Sequence, residues 1–197
     1  FVNEDDDPMD DQGHGTHVSG IITSDDATYK GVAPKASLMA VKVLNSDGIG
    51  YLTDIIAGIE WCVNNNVDII SLSIGGIGIK SSIYCDSETG AQAVNNAVNA
   101  GVVAVVASGN DGWTDGVSVP FACASKAISV GAIYDANVGS ISYPGVCSDS
   151  TTYADKISCF TDRNNILDLL APGAKITSTK LGGGFISYDG TSMATPM

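Results

Sequence analysis

Residues 101–110 read GVVAVVASGN, and the fold class turns on this stretch. Residues 102–107 are continuously apolar, as in a strand covered on both faces. Moving towards the N-terminus, residues 89–100 carry Ala93, Val94, Ala97 and Val98 on one helical face, with Gly101 as the stop. Before that, VDIISLSI (67–74) reads as a strand ending in the turn GGIG. Residues 52–63 repeat Leu52, Ile55, Ile56, Ile59, Cys62 and Val63 with helical period, Thr53 being placed to cap the start. SLMAVKVL (37–44) reads as a further strand, followed by the loop NSDGIG. Towards the C-terminus, short strands are expected at 127–132, 167–170, 176–179 and 185–188. Strands alternating with helices predict an α/β fold: three layers, a doubly wound and mostly parallel sheet, helices on both faces. The loops NSDGIG, GGIG and SGNDG all follow strands, so they belong on one rim, where such folds gather function.

The chain has 197 residues, within the range of one domain. Hydrophobic residues make up 44% and charged residues 16%, enough for a large core and against disorder. Lys plus Arg number 9 against 22 Asp plus Glu, a net charge of −13 that argues against nucleic acid as a partner. Acidity of this kind suits solubility in a salty or extracellular setting. No apolar run is long enough to span a bilayer. Phe1 is not an initiator methionine, so the lack of a leader in these residues carries little meaning.

Five cysteines, Cys62, Cys85, Cys123, Cys147 and Cys159, fit no zinc spacing. Cys62 falls inside a helical pattern and reads as a small core residue. An odd count with one buried member suggests two bridges and a free thiol, with Cys85 paired to Cys123 and Cys147 to Cys159. That favours an oxidising compartment; five free thiols in a cytosolic protein is the other reading.

Chemistry concentrates in three places. Both histidines lie in DDQGHGTHVSG (10–20), His14 and His17 three apart on a helix expected to begin near His14 and run through Val18 and Ile21. They either bind a metal, though no third ligand stands nearby, or divide into a general base and a structural residue. Glycines on both sides of His14 allow close approach, which favours catalysis. In GTSMATP (190–196), Ser192 sits at the start of a helix, whose free N–H groups can receive a developing oxyanion; an ordinary Ser/Thr helix cap is the bland alternative. In ASGN (107–110), Asn110 is either a turn residue or an uncharged second oxyanion donor.

These pieces resemble the subtilisin-like serine protease family, the subtilases. HGTHVSG resembles the family's histidine motif, GTSMATP its serine motif and ASGN its oxyanion segment, in the family's order. GVAPKASLMAVKVL, GIEWCVNNNVDIISLSIGG and LDLLAPGAKI resemble its framework, so the likeness runs over nearly the whole chain. The resemblance implies a serine endopeptidase working through an acyl-enzyme. Ser192 would be the nucleophile, His14 the general base and later acid, and the Asn110 side chain with the Ser192 N–H the oxyanion donors. It implies that Ser73, Ile74, Gly75 and Gly76 form the edge strand binding an extended peptide, with Gly48, Ile49 and Gly50 facing it. Ala107, Ser108 and Gly109 would form a pocket wall. It further implies polypeptide substrates, a secreted or extracytoplasmic location and a monomeric parent enzyme.

The chain also departs from the family pattern. Only 13 residues precede His14, and Asp5, Asp6, Asp7, Asp10 and Asp11 lack the Asp-Thr/Ser-Gly context of the triad aspartate. The expectation is that the catalytic aspartate lies outside this chain. The helix carrying Ser192 is cut short after Met197, so residues 1–197 are expected to be one incomplete catalytic domain with little activity alone. The segment TSDDATYKGVAP (23–34) is short where many subtilases hold calcium; Asp25 and Asp26 could still bind calcium but read rather as solvated turn acids, so no metal is assigned and no other cofactor is expected. CSDSTTYADKISC (147–159) looks like an inserted loop. Asp111 stands near the pocket base, where a carboxylate would widen tolerance towards Lys or Arg. The alternative function is a non-catalytic peptide-binding module, against which stands the joint presence of His14, Asn110 and Ser192. All of this requires folding to bring the His14 imidazole and Ser192 hydroxyl within proton-sharing reach, beside the Asn110 carboxamide.

Overall fold

The computed structural model describes Val2 and residues 7–197. In chain order the elements are helix α1 (His14–Thr23), helix α2 (Leu52–Asn64), strands β1 (Ile69–Leu72) and β2 (Lys80–Ser81), and helix α3 (Thr89–Asn99). Strands β3 (Val103–Ala107), β4 (Val117–Ser118), β5 (Ile128–Ile133), β6 (Ile141–Tyr143) and β7 (Cys147–Asp149) follow. The last are β8 (Leu169–Pro172), β9 (Ile176–Thr179), β10 (Phe185–Tyr188) and helix α4 (Thr191–Ala194).

The centre is a parallel sheet in the order β1-β3-β5-β8. Alternate residues of a strand face opposite sides, and both sides are used. Ile70, Leu72, Ala104 and Val106 share one core cluster with Ile55 and Ile59 of α2 and with Val94 and Ala97 of α3. Val94 and Val106 are almost wholly buried there, each contributing about 1.5–3 kcal/mol. On the opposite face Val105, Ile128, Val130, Ala132 and Ala171 cluster with Ala194 of α4. Helix α1 lies beyond, sharing a third cluster (Val18, Ile21, Ile176, Met193, Tyr188) with α4 and the β9–β10 hairpin. Helices thus stand on both faces, giving the three-layer α/β arrangement.

Several expected boundaries differ. Residues 37–44 join no ladder; Val41 and Val43 pack instead against α2 at Gly58, so apolar contact holds this segment without strand pairing. The α2 cap position is Tyr51, and Thr53 lies inside the helix, because the turn begins at Leu52. β1 stops at Leu72, leaving residues 73–76 outside any ladder among the described residues. Residues 48–50 are likewise no strand. The Asn45 and Gly48 N–H groups bond the Ile49 and Asn45 carbonyls, both at 2.9 Å, which makes a tight turn.

Disulfides join Cys85 to Cys123 and Cys147 to Cys159, and Cys62 is a half-buried free thiol on α2. The second bridge closes the loop built on the β6–β7 hairpin.

Candidate active site

Asp10 starts the construction of the site. Its Oδ1 accepts the N–H groups of Gln12 (2.9 Å) and Gly13 (2.8 Å), and its Oδ2 those of Thr16 (2.7 Å) and the Thr16 hydroxyl (2.6 Å). One carboxylate thereby satisfies several donors that the start of a helix leaves free. Burial pushes its pKa up, but the Gly13, Thr16 and Gln12 donors win and hold it at about 2. The sequence presents Asp10 only as a candidate triad acid and not as an anchor of α1, because it stands three residues before the cap position, Gly13.

The fixed α1 places the two histidines in different surroundings. His17 is fully buried, with Nε2 donating to the Ile186 carbonyl (3.1 Å) and its ring packed on Tyr188 at 4.5 Å. His14, at the first residue of α1, remains half-buried. Desolvation, and then the neighbouring His17, lower the His14 pKa below the ordinary 6.5, with Asp10 opposing. A neutral imidazole at pH 7 is available to take a proton.

Ser192 lies one residue before Met193, which packs with Val18 in the α1–α4 cluster. Val18 is one turn on from His14, on the same helical face. The Ser192 hydroxyl donates to the Ser73 carbonyl (3.2 Å), and the Ser73 hydroxyl donates to the Ser192 carbonyl (2.8 Å). Ser192 is no helix cap, since α4 has no side-chain cap bond. Among the described residues no hydrogen bond joins the His14 ring to Ser192 or to a carboxylate. Asp11 pairs with Lys42 at 2.6 Å and Asp7 accepts the Met9 N–H; Asp5 and Asp6 lie outside the described residues.

Asn110 is held by Thr191. Its Oδ1 accepts both the Thr191 N–H (2.8 Å) and hydroxyl (3.0 Å), while the Gly109 N–H donates to Thr191 Oγ1 (3.2 Å). With the oxygen occupied, the amide orientation is fixed and both Nδ2 hydrogens are left as donors. No sequence signal marked Thr191 or Ser73 for these roles.

Gly75, Gly76, Ala107, Gly109, Asn110, Asp111, Ser118 and Ser192 line a cleft of about 210 Å³. The Ser118 hydroxyl bonds the Gly76 carbonyl (3.1 Å) and the Gly76 N–H bonds the Val119 carbonyl (3.0 Å), fixing one wall. Ser108 is buried behind the cleft and Ile74 packs into the core. Gly48 stands against the Gln12 side chain, near the start of α1. A somewhat larger cleft, about 260 Å³, lies between α2 and α3. Glu60 is its only ionisable lining group, so polar chemistry converges in the smaller one.

Together these features are a hydroxyl on a helix, a neutral imidazole on the helix packed beside it and a carboxamide with its donors free. The profile of the Subtilase family matches residues 1–197. The chain belongs to this family. It is similar to the serine protease AprX of Bacillus subtilis strain 168, 37% identical over the whole chain and 49% of that protein. It is also similar to subtilisin E of the same strain, 39% identical over the whole chain and 46% of that protein. The chain therefore spans about half the length of these curated relatives. Among solved structures, that of a cold-adapted subtilisin-like serine proteinase superposes with a TM-score of 0.76 at 32% identity, covering 100% of this chain and 62% of that one. The fold of this subtilase chain is accordingly subtilisin-like.

The remaining acids do local work. Asp26 Oδ1 accepts the Thr28 (2.8 Å) and Tyr29 (2.9 Å) N–H groups, closing a turn. Asp189, next to Gly190, accepts the Lys175 N–H (2.9 Å) and the Tyr143 hydroxyl (3.3 Å). Tyr143 in turn meets the Tyr134 hydroxyl (3.3 Å), which donates to buried Asp149 (2.9 Å) beside the Cys147–Cys159 bridge. No group of three or more metal-ligating side chains is found among the described residues, and no helix among them is long and apolar enough to cross a membrane.

Proposed function

We propose that the protein carrying this chain is a serine endopeptidase that cleaves polypeptides through an acyl-enzyme on Ser192. The observation that carries the reading is the Asn110 amide, turned by Thr191 so that its donors are free beside Ser192. His14 takes the Ser192 proton as the hydroxyl attacks the scissile carbonyl, then delivers it to the leaving amine. The Asn110 Nδ2 and the Ser192 N–H receive the oxyanion. Residues 73–76, beyond the end of β1, would bind an extended substrate along Ile74 and Gly75, since Gly76 is already bonded to Val119 and Ser118, with 48–50 on its other side and Ala107, Ser108 and Gly109 behind its pocket. In the resting state Ser192 is parked on the Ser73 carbonyl; that contact must release for the hydroxyl to turn to His14, a catalytic bond that forms fully on substrate binding.

The test uses the full-length natural protein and a chromogenic peptide. Ser192→Ala or His14→Ala lowers kcat on the order of 10⁶-fold. Asn110→Ala lowers it about 10²–10³-fold, a magnitude borrowed from the equivalent loss in a subtilisin, with KM little changed. Activity rises with pH as His14 loses its proton, which the acid limb of a kcat/KM–pH profile checks. Turnover that survives Ser192→Ala would rule the mechanism out. Residues 1–197 alone turn over slowly, since none of the described carboxylates bonds the His14 ring. Two disulfides suit a secreted or extracytoplasmic setting; recovery of activity from the culture medium checks it.

A further inference from the structure

Asp162 has a role that the peptidase chemistry leaves unused. It is completely buried, and its Oδ2 has no hydrogen-bond partner among the described residues. The segment around it is laced to the loop that follows Asn110. The Asp162 N–H bonds the Gly109 carbonyl (3.0 Å), the Arg163 N–H the Trp113 carbonyl (2.8 Å) and the Gly112 N–H the Phe160 carbonyl (2.9 Å). Asp162 Oδ1 accepts the Trp113 N–H at 2.9 Å. The unpartnered oxygen lies directly against Gly109. A Cβ at Gly109 would meet it at 2.1 Å, and the Ser118 Cβ at 3.0 Å. Gly109 and Ser118 both line the cleft beside Ser192. Only the thickness of a glycine wall therefore separates this carboxyl from whatever fills the cleft.

We propose that Asp162 is a specificity-determining residue of this cleft, its charge acting through the Gly109 wall to favour a cationic substrate side chain over an apolar one. The inference rests on the peptidase reading. Burial, the largest influence, and the charge of Asp111 push the carboxyl up to about 7, against the Trp113, Asp111 and Gly112 N–H groups. The charge is therefore absent in mild acid and present in mild alkali. The other charged groups facing this region are fixed. Arg163 donates to the Thr161 carbonyl, and Lys80, paired with Asp115, lies over the Trp113 ring. Asp111 lines the cleft itself and adds a charge of the same sign.

The test compares kcat/KM for two peptides that differ only in having Lys or Leu before the cleaved bond, from pH 5.5 to 9, in the full-length natural protein. The Lys:Leu ratio cancels the ionisation of His14, which both substrates share. The ratio is expected to rise about fivefold through pH 7, the scale of one partly screened charge acting over roughly 10 Å. Asp162→Asn flattens that rise. Asp111→Asn lowers the ratio but keeps the rise, moved to lower pH. A purely structural role for Asp162 would change rates for both peptides together and leave the ratio's pH dependence intact. A flat wild-type ratio overturns the proposal, as does a rise that persists in Asp162→Asn. Should Asp162→Asn fail to fold, Asp162→Ser and the wild-type profile decide. Hydrolysis of neither peptide, with Ser192 unlabelled by a serine-directed inhibitor, overturns the peptidase reading and this inference with it; hydrolysis with a flat ratio overturns this inference alone.

Discussion

Two carboxylates flank the candidate site in opposite electrostatic states. Asp10, at the start of α1, accepts four hydrogen bonds and is held at about 2. Asp162, behind the Gly109 wall, is wholly buried, has one oxygen unpartnered and is pushed up to about 7. Both belong to loops that position functional groups. What separates them is how well donors satisfy each carboxylate, together with the like charge of Asp111 beside Asp162. Desolvation opposes ionisation in both cases. At Asp10 the helix start overcomes it, whereas at Asp162 the Trp113, Asp111 and Gly112 N–H groups do not, and the Asp111 charge adds repulsion.

The contrast is broken most severely at the wall. Gly109→Ala requires a side chain at φ 115° and a Cβ 2.1 Å from the Asp162 Oδ2, so denaturant unfolding should show a loss of about 3 kcal/mol. Combining it with Asp162→Ser should restore part of that loss. A smaller effect comes from Asp162→Asn alone. A carboxyl with a raised folded pKa stabilises the fold in its protonated form, and that stability drains away as pH climbs from 3.8 to about 7. The amide removes the drain, so the variant should gain about 1–3 kcal/mol relative to wild type between pH 4 and pH 8. Thermal melts at the two pH values provide the measurement.

Asp10→Ala has the opposite signature. A depressed pKa contributes stability above 3.8 that disappears as pH falls through about 2. The variant should lose about 1–2 kcal/mol at pH 7, discounted for partial exposure, and nothing at the acid limit. Smallest is Thr16→Val, which takes away one donor to Asp10. It should cost about 0.5–1 kcal/mol and move the Asp10 titration, followed by NMR, towards the ordinary carboxyl range.

Much of this architecture could be read from periodicity. The apolar run before Ser108, the α3 face of Ala93, Val94 and Ala97, and the β9–β10 pair emerged where the pattern placed them. Residues 37–44 did not, because an apolar segment says nothing of a ladder partner, and its Val41 and Val43 pack against α2 instead. His14, Asn110 and Ser192 were legible through motifs, which record composition at fixed spacing. Asp10 and Asp162 were not. The state of a carboxyl depends on which donors folding aims at it, and those of Asp162 come from Trp113, 49 positions away. Thr191 escaped notice for the same reason, since its task is to hold the oxygen of a residue 81 positions earlier.

The hydroxyl chain from Asp149 through Tyr134 and Tyr143 to Asp189 gives the stapled hairpin a stake in the turn ahead of Ser192. That loop is consequently not an interchangeable cassette. A designer grafting a foreign segment between Cys147 and Cys159 would need to transplant an acid in place of Asp149, or the graft would leave the Tyr134 hydroxyl without its acceptor.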